Sequence, residues 1–512
     1  MTEETTSLPS TGVAVGPGAP GSLASTLRRG AGISGITLVI VQVVSLAQTL
    51  VVARLLTPAE IGVYAAGTVL TGVLVMLSEG GLRGALIQRE HDVEDAAVTV
   101  FWATLFSGFA LSLLALAASP LIGLVFDNRT AGVIAAITSG GLLLHALTNV
   151  PDALMQRRFN FKRTLIVGPA TAISYAITAV TCAALGFGVW ALVIGTYASQ
   201  IVWVIATWTL MGWRPITGRA SVRLWRELAR FGLPLVLDGA AYRVREVVEI
   251  TLVGRSLNES SLGQYHYGRR LSVIPGVAIV QIAGYVLFPA FSRIAGDAER
   301  FQRAFLRTLV WLWCAATPMT ALVIAIGEPL VVVLLGEPWR GAGVALVAMS
   351  GFGLGEALYA VTAEPIKGAG RARLLNWMTL AGLVSGIGVL LALLPLGLLG
   401  VGLAFSAAAL CSGVTGLVLV SPVVRVPFRE MLARMWPPVA ASMVSVALVM
   451  PLEHLIVLSD RRGIAGGLGL LLAESVLFGV VYLAVLRFVG PSLFREVTAG
   501  VAGIRSRLRP AR

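Results

Sequence analysis

Fourteen apolar stretches of about 20 residues punctuate this chain, from the first at 31–53 to the last at 464–486. Each is close to the length that an α-helix needs to cross the roughly 30 Å hydrocarbon layer of a bilayer. Some are joined by turns as short as GFG at 186–188. A chain of 512 residues that is 56% hydrophobic and 13% charged is half as charged as a soluble protein, for which about 25% is usual. In lipid, each backbone N–H and C=O must find its partner within its own segment. The expected fold is therefore all-α, with about fourteen transmembrane helices.

The charges sort by side. Of the 39 lysines and arginines, 28 fall in the even-numbered connections and the two tails, six in the odd-numbered connections and five within the apolar stretches. By the positive-inside rule this asymmetry places both termini in the cytoplasm. The net charge of +13 is thus mostly topological, and nucleic acid is not an expected partner. Residues 1–27, rich in Gly, Pro, Ser and Thr, read as a disordered cytoplasmic tail, and 491–512 as a basic one. Cys182, Cys314 and Cys411 lie in apolar runs, where they pack as small hydrophobes.

Enzymatic signatures are missing. There is no GxxxxGK[ST], HExxH, GxSxG or paired CxxC, and the one GxGxxG, at Gly16 to Gly21, sits in the tail with no preceding strand. No connection exceeds about 20 residues, which leaves no room for a soluble catalytic domain. No enzyme activity, cofactor or metal is expected.

One segment occurs twice. VVARLLTPAEIGVYAAG at 51–67 and LVGRSLNESSLGQYHYG at 252–268 align without a gap at an offset of 201, matching Val52 with Val253, Arg54 with Arg255, Leu56 with Leu257, Gly62 with Gly263, Tyr64 with Tyr265 and Gly67 with Gly268. The copies are six spans apart, an even number, so both units have the same orientation. Two six-helix lobes follow, 28–213 and 229–423, joined by a cytoplasmic linker at 214–228 and extended by two further helices within 424–490. A transport site is expected between them.

The seventh apolar stretch contains LDGAAYRVREVVEITLVG. At helical spacing Asp238, Tyr242, Arg245 and Glu249 share one stripe, with Arg243 and Glu246 beside it. Charges in lipid are costly, so the stripe should face a hydrated cavity. There Arg243 and Arg245 would neutralise a phosphate or pyrophosphate, and Asp238, Glu246 and Glu249 would carry a coupling ion or proton. Arg83 and Arg269 are the other intramembrane candidates for substrate contact, although a local pair with Glu79 accounts for Arg83 and snorkelling for Arg269 and Arg270. The basic stretch MQRRFNFKR offers Arg157, Arg158, Lys162 and Arg163 to anionic headgroups at the cytoplasmic face. Glu356, Glu364, His145 and Glu474 read as partners in helix-to-helix hydrogen bonds.

The two copies of the repeated turn, the QRRFNF segment and VLFPAFSRI at 286–294 together resemble the polysaccharide transporter family of lipid-linked oligosaccharide flippases, in the superfamily that also holds multidrug and toxin extrusion proteins. The resemblance covers roughly residues 25–425. It implies a V-shaped pair of six-helix bundles in a bacterial cytoplasmic membrane. Such a pair would move an undecaprenyl-pyrophosphate-linked glycan to the outer leaflet by alternating access. The partners implied are that glycan, membrane lipids, a polysaccharide polymerase and glycosyltransferases. A drug/cation antiporter of the same fold and a peptidoglycan-precursor flippase are the alternatives.

Overall fold

The computed structural model describes Thr37 and residues 40–158, 163–216, 218–294 and 296–495, without the side chains of 163–164, 234–235, 237–242, 275–286 and 288–290. Lys162, the 1–27 tail and most of the 491–512 tail lie outside the described residues, as do the side chains of Asp238 and Arg163.

The described residues form helices and no strands. In the first half these are α1 (Ile40–Leu55), α2 (Pro58–Glu79), α3 (Leu82–Gln88), α4 (Val93–Val125), α5 (Arg129–Thr138), α6 (Gly141–Arg157), α7 (Gly168–Ala184) and α8 (Trp190–Met211). The second half holds α9 (Val222–Ser256), α10 (Glu259–Ile294), α11 (Ala298–Leu335), α12 (Arg340–Ala348), α13 (Gly351–Gly368), α14 (Leu375–Leu393) and α15 (Leu398–Val424). Two more, α16 (Phe428–Leu452) and α17 (Gly463–Val489), pack against α11.

Eleven helical segments are long and apolar enough to cross a membrane, where the sequence reading counts fourteen. The difference lies in α1, described only from Ile40, and in α9 and α10, whose 35 and 36 residues carry four of the five intramembrane arginines. One apolar run divides into α2 and α3 at Gly80 and Gly81, whose φ angles of 53° and 68° favour a residue without a side chain. At that break the backbone of Gly232 crosses so closely that a Cβ on Gly81 would lie 2.3 Å from the Gly232 carbonyl oxygen.

The repeated turn builds the same device twice. In the first copy Thr57 caps α2 in a capping box with Glu60, with Pro58 at the first helical position. In the second, Asn258 accepts a hydrogen bond from the Ser261 N–H at 2.7 Å. Here the two copies meet. A Cβ on Gly62 would lie 1.8 Å from the Glu259 carbonyl oxygen, and one on Gly263 would lie 1.8 Å from that of Pro58, the residue equivalent to Glu259 at the 201 offset. The contact is therefore reciprocal, and a pseudo-two-fold axis passes between α2 and α10. Beyond it, Gly67 lets α2 approach Ile134 of α5, as Gly268 lets α10 approach Ala345 of α12. The central core draws Val63, Ala65, Ala131 and Val193 from the first half and Val253, Leu262, Ala345 and Phe405 from the second.

Candidate functional site

On this axis lies a cavity of about 380 Å³. Ala65, Thr68, Val69 and Gly72 of α2 line one wall, and His266, Arg269, Arg270 and Val273 of α10 line the facing one. These are the same four positions in each copy, 201 residues apart. The symmetry of the backbone is broken by the side chains: the second copy brings a histidine and two arginines where the first brings small uncharged residues. A third wall is α9, with Arg243, Glu246, Val247 and Ile250.

Glu246 is shared by two cations. Its carboxylate accepts from Arg243 Nη1 at 2.6 Å and from Arg269 Nη1 at 3.0 Å. Arg270 donates to Ser45 Oγ on α1 at 2.8 Å, across the two halves. Among the described residues, the cavity wall therefore carries three arginines against one glutamate. Its field favours an anion, and guanidinium groups suit phosphate oxygens geometrically.

Arg245 and Glu249 do not face this cavity. Arg245 Nε pairs with Glu249 at 2.7 Å, and the same carboxylate accepts the Tyr265 hydroxyl at 2.7 Å. Arg245 lines a separate cavity of about 230 Å³ inside the second half, with Glu356, Tyr359, Thr379 and Ser412. The ring of Phe405 lies against both guanidiniums, 5.1 Å from that of Arg245 and 5.5 Å from that of Arg269. The polar face inferred from helical spacing thus divides in two: Arg243 and Glu246 point between the halves, and Arg245 and Glu249 point into the second.

Glu249 is only 5% exposed, so removing it alone strands a largely buried arginine. Glu249→Ala is expected to destabilise the protein by roughly 3–5 kcal/mol, while the double change Arg245→Leu with Glu249→Leu recovers most of the loss. Thermal unfolding of the purified variants checks this; equal destabilisation of both would contradict it.

The other sequence candidates are spread out. Arg83 pairs with Asp152 and donates to Gln156 at 3.3 Å within the first half, while Glu79, the partner suggested by sequence spacing, meets His145 at 2.8 Å. Arg157 donates to the Ile87 and Arg89 carbonyls and so caps α3. Arg158 is exposed and stands 3.9 Å from Glu94. His266 and Arg270 are the cavity residues that the spacing argument missed. Mapping the α10 stripe 266, 269, 270 and 273 onto its copy at 65, 68, 69 and 72 would have exposed them as one face.

Comparison with known proteins agrees with this architecture. The chain is 28% identical to the succinoglycan biosynthesis transport protein ExoT of Rhizobium meliloti (strain 1021), over 64% of this chain and 67% of that one. It is 24% identical to the lipopolysaccharide biosynthesis protein WzxC of Escherichia coli (strain K12), over 62% and 65% respectively. The chain thus matches about two thirds of the length of these curated relatives. Among solved structures, the lipid II flippase MurJ in an inward closed conformation superposes with a TM-score of 0.73 at 14% identity, covering 91% of this chain and 99% of that one. An inward-facing multidrug resistance MATE family transporter gives 0.64 at 16% identity, covering 78% and 98%. At these identities the two structures establish the fold, a multi-pass membrane-transporter fold. Residues 51–343 match the family model for polysaccharide biosynthesis proteins, more than half of the chain, and the chain belongs to that family.

Proposed function

We propose that this protein is a non-enzymatic flippase that carries an undecaprenyl-pyrophosphate-linked oligosaccharide, a precursor of surface polysaccharide, from the cytoplasmic to the outer leaflet. The observation that carries this reading is the cavity between the repeats, with three arginines and one glutamate on its wall. A pyrophosphate needs cationic hydrogen-bond donors out of bulk water, and the cavity supplies them from α9 and α10 while its α2 wall remains small and uncharged. The relatives' named roles, succinoglycan transport and lipopolysaccharide biosynthesis, support the same substrate class.

In this reading α1–α8 and α9–α15 act as two lobes that rock about the axis between Gly62 and Gly263. The prenyl chain stays in lipid, and no bond is made or broken. Both termini lie in the cytoplasm, as the distribution of 28 cationic residues against six supports. Arg243, Arg269 and Arg270 engage the pyrophosphate, and Glu246 holds two of them in place between transport cycles. Arg245 with Glu249, and Arg83 with Asp152, act as internal struts of their own lobes. Glycosyltransferases supply the substrate on the cytoplasmic side, and a polymerase consumes it outside.

A cation antiporter is disfavoured because its substrate would meet a wall of net positive charge. A peptidoglycan-precursor flippase would use the same chemistry, and the trapped substrate separates the two. Deleting the gene is expected to lower surface glycan and to accumulate completed lipid-linked precursors facing the cytoplasm, with restoration by the intact gene. If neither pool changes, the reading fails. If a peptidoglycan precursor accumulates instead, the substrate assignment fails.

A further inference from the structure

The repeated arginines sit where the two halves meet at the arginine-poor end of the bundle. Arg54, just before α1 ends, donates from Nε to the Leu334 carbonyl at 2.9 Å and from Nη2 to the Val333 carbonyl at 2.7 Å. Those carbonyls belong to the last turn of α11, in the opposite half. Its copy, Arg255 near the end of α9, donates from Nη1 to the Val125 carbonyl at 2.9 Å and to that of Leu124 at 3.5 Å. These close the last turn of α4, again in the opposite half. Each arginine therefore crosses the pseudo-two-fold axis to cap the helix that occupies the same place in the other repeat.

The residue before each arginine repeats the arrangement with an aromatic ring. The Trp339 indole donates to the Ala53 carbonyl at 2.7 Å. The equivalent Gly254 takes the Phe126 ring so closely that a Cβ there would lie 2.6 Å from it. A third crossing joins Asn128 Nδ2 to Glu259 at 2.8 Å.

We propose that Arg54 and Arg255 are paired gate latches whose release opens the cavity toward the arginine-poor, outer face. This rests on the alternating-access reading above and adds the residues that control it. The physical basis is the choice of acceptor. The last carbonyls of a helix lack intrahelical donors and carry the negative end of its dipole, so an arginine gains there without a carboxylate partner. Both arginines are exposed, so on release each returns to water and leaves no buried charge behind. The contact is strong enough to bias two states and weak enough to break in every cycle. That also explains why both copies of the turn keep an arginine when the cavity walls have diverged.

The test uses accessibility and needs no substrate. In a background with Cys182, Cys314 and Cys411 replaced, Thr68→Cys places a reporter thiol on the cavity wall, and a membrane-impermeant maleimide is added outside intact cells. Arg54→Ala with Arg255→Ala is expected to raise the labelling rate roughly tenfold, each single change giving a smaller increase. Lysine at both positions, which keeps the charge but loses the planar fork, is expected to fall between. Unchanged labelling in both the alanine and the lysine double variants, at normal protein levels, would overturn the proposal. So would a rise in labelling from the cytoplasmic side only. Because the readout is independent of the glycan, a failed substrate assignment would leave this result intact.

Discussion

Replacing Gly62 or Gly263 with alanine is expected to abolish export. A methyl group at either position would stand 1.8 Å from a main-chain carbonyl oxygen of the opposite half, about half the normal contact distance, so no rotamer change can relieve it. The helices α2 and α10 must separate along the line about which the lobes are proposed to rock. Overpacking of this kind typically costs 1–3 kcal/mol where neighbours can shift, and more where the obstacle is backbone. The reciprocity of the contact makes a sharper claim: the two substitutions should have the same effect, since each collides with the residue equivalent to the other's obstacle. Gly388→Ala and Gly479→Ala, where nothing lies within 4 Å of an added Cβ, serve as controls. Surface polysaccharide, measured against membrane protein level, reads the outcome. Wild-type export by Gly62→Ala would show that the close approach is dispensable.

The second large effect is electrostatic. Removing Arg243 and Arg269 together takes both partners from Glu246 and leaves one glutamate facing Arg270 across the cavity, so the net positive charge of the wall is gone. Charge-assisted hydrogen bonds to a phosphate contribute about 1.5–3 kcal/mol each, so every arginine lost should weaken substrate binding by roughly ten- to a hundredfold. Export by the double alanine variant is expected to fall below detection at normal protein levels. Lysine at position 269 should recover part of it, because an ammonium restores the charge but not the bidentate geometry. Arg245→Leu with Glu249→Leu is the contrasting pair. It removes two charges of the same stretch outside the cavity and should leave most export intact.

The contrast between these pairs marks how far the sequence could be read. Hydrophobic runs and the side preference of arginine were enough for a helical membrane fold, and the 201-residue offset was enough to find the two equivalent units. Helical spacing also located a polar face on α9, but it could not say which of two neighbouring stripes turned toward the other half. α9 lies at the boundary and has charged residues on both faces: Arg243 and Glu246 are three residues apart on one, and Arg245 and Glu249 four apart on the other. Only packing against Phe405 and Tyr265 separates them. Arg269 and Arg270 were obscured for a different reason. Their place near the start of α10 is also where snorkelling arginines sit, and burial against Glu246 and Ser45 is a tertiary fact. The latch arginines were visible as repeated letters, yet their acceptors are main-chain carbonyls about 130 and 280 residues away, which no local pattern encodes.

Recognition of pyrophosphate by the cavity is measured by binding of a polyprenyl pyrophosphate to the purified protein in lipid nanodiscs, compared with the uncharged polyprenol. The pyrophosphate is expected to bind at least about tenfold more tightly, and Arg243→Ala with Arg269→Ala to remove this preference. Equal binding of the two lipids, or an undiminished preference in the double variant, would contradict it.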